Sequence, residues 1–174
     1  MLYFSLIYVV LAIGAFVCFA VIYISKNETE KYYNAADKII REDILAHAVR
    51  NPYINKQPAP ASRRLMLGVK IKNGKKKNIQ VFDPCKPVYI GSAETNQIRV
   101  MNNAVSSTHA CIFNSENKLW INDRCPSVSI KIKRGSRKVI CRPGSSVRLR
   151  AGDIIIFNNY KLTFRIFVYD IYHK

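Results

Sequence analysis

The first 24 residues, MLYFSLIYVVLAIGAFVCFAVIYI, carry no charged side chain. A helix of that length rises about 36 Å, more than the ~30 Å of a bilayer's hydrocarbon core. Tyr3, Tyr8 and Tyr23 fall towards its ends, where interfacial tyrosines belong. A cleaved signal peptide would show a basic start, a shorter apolar core and an A-x-A-like cleavage site, none of which is present. The expectation is a retained transmembrane anchor over 1–24. Before it stands only the amino group of Met1, and after it come Lys26, Lys31, Lys38 and Arg41. The positive-inside rule then sets the N-terminus outside and the C-terminal part in the cytoplasm.

The net charge of +17 is unevenly distributed. Residues 25–62 hold six Lys/Arg against five Asp/Glu, whereas residues 63–174 hold 22 against six. The five cysteines form no CxxC pair, so neither a zinc ribbon nor a thioredoxin-like motif is supported, and no metal or other cofactor is expected. Cys111 lies in an apolar run and reads as a buried small hydrophobe. A cytoplasmic location favours reduced thiols.

Residues 25–50 space Tyr32, Tyr33, Ala36, Ile39, Ile40, Ile44 and Ala48 at three and four, which predicts a juxtamembrane helix with one apolar face. Asn27 and Thr29 are candidate caps, and Pro52 ends the pattern. A spacer helix is the simplest reading, with dimer pairing or a position on the membrane as alternatives; His47 is expected to face solvent. Residues 51–62, NPYINKQPAPAS, read as a proline-rich linker. From 63 to 174, eleven short β-branched runs alternate with Asn-Gly, Arg-Gly-Ser, Pro-Gly-Ser and Ala-Gly-Asp turns, the pattern of an antiparallel β-sandwich. In SIKIK (129–133), Ile130 and Ile132 should face inward and Lys131 and Lys133 outward.

"YIGSAETNQIRV", "AVSSTHACIF", "LWIND" and "LRAGDIIIFNNYKLTF" together resemble the forkhead-associated (FHA) family over roughly residues 63–168. The resemblance implies an eleven-stranded β-sandwich that binds phosphothreonine peptides through loops at one end, and a binding module instead of an enzyme. It makes Ser106 the phosphate contact, makes His109 a structural brace of the loops, and gives Gly91, Gly152 and Asp153 structural roles. Without the family, a serine hydroxyl and loop amides still suit a phosphate. A Ser106–His109 nucleophile pair would need a base in reach and an orienting group, with no G-x-S-x-G turn to support it.

Three positions depart from the family pattern. Ser92 follows Gly91 where phosphothreonine binders have arginine, and a serine brings no charge and one donor in place of a charged fork. Ser107 stands where arginine or lysine is common. Val128, Ser129 and Ile130 replace the Asn-Gly-Thr whose amide holds the peptide backbone. Arg124 and Lys86 are candidate substitute cations. The expected function is therefore a membrane-anchored adaptor or scaffold whose phosphothreonine site is degenerate. Phosphothreonine recognition in kinase signalling is the first alternative, and a basic module for anionic lipid or nucleic acid is the second. The clusters KNGKKK (72–77) and KIKRGSRK (131–138) would supply the lipid contact. Nucleic acid is disfavoured, since no recognition helix or aromatic-basic motif accompanies the charge. Trp120 is expected in the core.

Overall fold

A computed structural model describes residues 2–50, 63–125, 129–157 and 159–170, with helical side chains described from Tyr8 to Ala46. The linker 51–62, Val128 and the His47 side chain lie outside the described residues.

Helix α1 (Leu2–Arg50) is one uninterrupted element of 49 residues, so the juxtamembrane helix continues from the apolar segment without a break. No proline or glycine falls between Ile24 and Arg50, so nothing breaks the backbone ladder. Thr29 is not a cap: its hydroxyl donates to the Ser25 carbonyl one turn earlier, at 2.8 Å. From Tyr8 to Ile24 the large apolar side chains are exposed, and the helix is long and apolar enough to cross a membrane.

The eleven strands form two packed sheets. The first runs in the order β2 (Lys76–Phe82), β1 (Arg63–Asn73), β11 (Tyr160–Asp170), β10 (Ile154–Phe157), β7 (Ile130–Arg134), β8 (Arg137–Cys141). The second runs β4 (Ile98–Arg99), β3 (Val88–Gly91), β5 (Ala110–Ser115), β6 (Lys118–Asp123), β9 (Ser146–Arg148). All pairings are antiparallel except β3–β4, which is parallel. Alternation puts Leu67, Val69, Ile90, Ile112, Ile121, Ile132, Ile155, Leu162 and Phe164 between the sheets. Lys131 and Lys133 point out, and Ile130 and Ile132 point in. Trp120 is not in this core; it is half-buried on the outer face of the second sheet, paired with Phe113 and Arg148.

The second half of α1 is not a free spacer. It lies on the outer face of the first sheet, where Tyr32, Ala36 and Ile40 are buried against Met66, Val81 and Tyr169. Gly68 makes this possible: a Cβ there would stand 2.5 Å from the Tyr32 ring. The Arg165 guanidinium covers the same ring at 5.1 Å from its centroid. Polar contacts follow the helix down the strand. Lys70 pairs with Glu28, Arg165 donates to Thr29 Oγ1 at 3.2 Å, Tyr169 donates to Asp37 at 2.6 Å, and Arg64 donates to Asp43 at 2.7 Å. Burial and the bond to Asp37 push the Tyr169 phenol up to about 12. Lys70 meets Glu28 and Arg64 meets Asp43, so α1 and β1 run antiparallel. Between those pairs the helix rises about 22 Å and the strand about 20 Å, so their axes are nearly aligned.

Candidate functional site

One end of the sandwich gathers the connections after β1, β3, β4, β6 and β10. Two of these loops are stitched together by backbone bonds. Ser92 N–H donates to the Ser106 carbonyl at 3.0 Å and Ala93 N–H to the Ser107 carbonyl at 3.2 Å, while Val100 N–H donates to the Gly91 carbonyl at 2.8 Å. Asn96, buried, adds side-chain donations to the Ala93 and Ser107 carbonyls. Gly91 sits beneath this seam, and a Cβ there would overlap the Ser107 carbonyl oxygen and approach Asn96 Nδ2 to 2.8 Å.

His109 is 1% exposed and its Nδ1 accepts the Ser106 backbone N–H at 3.2 Å. Its ring meets Phe157 edge-on at 5.0 Å, which ties the loop to the other sheet. Burial lowers its pKa below the ordinary histidine value, with Asp123 opposing, so the ring is neutral at neutral pH. The Ser106 hydroxyl donates instead to Cys125 Sγ at 3.2 Å. Serine oxygen and imidazole are therefore not joined as nucleophile and base; the ring nitrogen is taken by a main-chain amide.

The loop after β6 is pinned by Asp123, fully buried, whose two carboxylate oxygens accept the amides of Cys125 at 2.9 Å and Ile130 at 2.8 Å. Ser129, half-buried, lies just before Ile130. Ser92 and Ser106 are partly accessible and Ser107 is exposed.

The two proposed substitute cations separate. Arg124 is at the loop end, exposed, with its guanidinium 5.2 Å from the centre of the Tyr89 ring on the outer face of the second sheet. Lys86 is at the opposite end, lining a cleft of about 700 Å³ with Arg64, Asp83 and Asn114. It cannot serve loops a strand-length away, because the connection after β2 reverses at the base. Arg99 is the cation that sequence reasoning missed. It stands opposite Gly91 in the parallel pair, reaches the Ser92 carbonyl with Nε at 3.4 Å and pairs with Glu94 at 2.9 Å. The parallel β3–β4 register brings it there, and no short-range sequence signal marks that register.

Gly152 and Asp153 also lie away from the loops. Gly152 adopts φ +85°, and Asp153, fully buried, accepts Arg134 Nε at 2.8 Å and Nη2 at 2.7 Å. Among the described residues no group of three or more His, Cys, Asp or Glu is placed to hold a metal ion.

Residues 88–158 match the FHA domain family. No curated protein matches the sequence. The solution structure of an FHA domain from an Arabidopsis thaliana hypothetical protein is similar at 18% identity and TM-score 0.51, covering 69% of this chain and 97% of that one. Mycobacterium tuberculosis EmbR, in complex with a low affinity phosphopeptide, is similar at 22% identity and TM-score 0.45. That match covers 56% of this chain, which spans only 24% of EmbR. Slr1951 from Synechocystis sp. matches at 15% identity and TM-score 0.45, covering 58% of this chain and 95% of that one. FHA domains are protein-interaction modules that bind phosphothreonine peptides, and the two-sheet sandwich of this chain, whose residues 88–158 match the family model, has an FHA-like fold.

Proposed function

We propose that this protein is a single-pass membrane adaptor that holds a protein partner at the cytoplasmic face through its FHA domain. Residues 1–24 form the anchor, and the phosphothreonine site is degenerate. The observation that carries the reading is the state of Ser92. It occupies the arginine position of phosphothreonine binders, its amide and carbonyl are engaged by Ser106 and Arg99, and its side chain carries no charge. Ser106, the phosphate contact that the family implies, already directs its hydroxyl at Cys125. The anchor reading is supported by the exposed apolar side chains of Tyr8 to Ile24 and by the helix continuing unbroken into the docked half. That half is part of the folded unit, so a fragment starting after the linker would bare Met66, Val81 and Tyr169.

The test is a titration of the full chain in lipid nanodiscs with a phosphothreonine peptide library and its unphosphorylated twin. The expected result is no preference for phosphate in the wild type. In Ser92→Arg, one regained charged hydrogen bond of about 1.5–3 kcal/mol should create a preference of roughly 10- to 150-fold. A wild type that already selects the phosphorylated library overturns the degenerate-site reading. One observation favours that second reading: Arg99 stands beside Ser92 with its partner Glu94 largely in solvent. If Arg99 supplies the missing charge, Arg99→Ala abolishes the selectivity.

A further inference from the structure

The register of the first sheet sets three lysines side by side. Lys72 pairs directly with Lys77 on β2 and with Lys161 on β11, and all three are exposed. Lys72 shares its face with Lys70 and Gly68, the face on which α1 lies. The row continues through Ile156, which pairs with Lys161 and is 56% exposed. Beyond it, Lys131 faces Ile140, 58% exposed, on the next hairpin. This rim therefore alternates basic and bare apolar side chains.

The cations lower on the same face are each given a partner by the docked helix: Lys70 has Glu28, Arg165 has Thr29, and Arg64 has Asp43. Among the described residues, no acidic side chain lies within ion-pair distance of Lys72, Lys77 or Lys161. Like charges directly opposite one another destabilise a sheet, so three in a row ask for an anionic counterpart from outside the chain.

Helix docking fixes where that counterpart would be. Lys70 and Glu28 stand at one level. Lys72 is two strand residues further on, about 7 Å. Ile24, the last residue of the apolar segment, is four helix residues back from Glu28, about 6 Å. The lysine row is thus level with the end of the apolar segment, and the turn bearing Lys75 and Lys76 projects past it. Headgroups at that depth lie within one Debye length of about 8 Å.

We propose that the rim formed by Lys77, Lys72, Lys161 and Ile156, with the Lys75–Lys76 turn, is a docking surface for the anionic lipid headgroups of the membrane that holds α1. The proposal rests on the anchor reading above. With the rim seated, the peptide-binding loops at the same end of the sandwich face the bilayer, and α1 acts as a rigid strut instead of a flexible tether.

Amine-acylation footprinting of the full chain, read by mass spectrometry, tests this. Nanodiscs of phosphatidylcholine alone are compared with discs of phosphatidylcholine and phosphatidylglycerol at about two to one. Lys72, Lys75, Lys77 and Lys161 should react roughly three- to tenfold slower in the anionic discs, with the difference removed at high salt. Lys118, at the far end of β6, should react equally in both. Equal rates at the rim overturn the proposal, as does protection by soluble glycerophosphoglycerol in phosphatidylcholine discs, which would mark a free-phosphate site. Ala36→Arg, which undocks the helix, should still co-elute with discs while losing the rim difference. Retention of that difference overturns the geometric argument. A chain that fails to co-elute with any disc overturns the anchor reading itself, and this proposal with it.

Discussion

Gly68→Ala should loosen the helix from the sandwich without unfolding either. The added methyl would stand 2.5 Å from Tyr32 Cδ1 and 2.6 Å from Cε1, well inside contact distance. The ring has little room to retreat, since Tyr32 is 4% exposed and Arg165 stacks over it. Overpacking of this kind costs about 1–3 kcal/mol, which corresponds to a roughly 5- to 150-fold rise in the undocked population. Against it stands the burial of Tyr32, Ala36 and Ile40, about 4–6 kcal/mol in all, so the docked state remains the majority. Hydrogen exchange of the full chain in nanodiscs reads the change. Amides around Tyr32 to Ile40 should lose protection by that factor, while those of β5 and β6 keep theirs. The reasoning depends on the ring, so the same substitution in a Tyr32→Ala background should be nearly neutral. A cost that persists undiminished there, or wild-type protection in the single variant, refutes it.

Two further outcomes follow from buried groups. His109 has a folded pKa below its unfolded value of about 6.5, so its contribution is complete above that pH and is lost as pH falls towards the folded pKa. Thermal unfolding should show a decline below about pH 6.5 that His109→Asn, which keeps an acceptor for the Ser106 amide but does not titrate there, abolishes. Arg134→Met should cost about 3–5 kcal/mol in denaturant unfolding, because it leaves Asp153, 0% exposed, without its charged partner. A loss within the range of an ordinary surface change would show that the backbone amide of Arg150 suffices for Asp153.

Both halves of the architecture were legible from local pattern. The uncharged run of 24 residues needs only length and composition to read as a helix fit for a bilayer. The eleven strands needed only alternation and turn residues, and the loop residues Gly91, Ser106 and His109 stood in an ordered motif. The departures at Ser92 and Ser107 were visible in the same way, because the identity of a residue at a motif position is itself the signal.

What escaped the sequence depends on pairings between distant segments. The apolar face of residues 32–48 showed that the helix had to cover something, but periodicity does not name the surface. Gly68, which reads as a weak point in a strand, is the seat for the Tyr32 ring. Arg99 reaches Ser92 only through a parallel register, and Lys86 faces away because its loop turns at the base. The clusters at 72–77 and 131–138 gained meaning only once register set Lys72 between Lys77 and Lys161, and once docking set that row level with Ile24. Composition and spacing along the chain determined which elements form and which chemistry they carry. Register, twist and helix docking, which depend on the side chains of several strands at once, decided where that chemistry points.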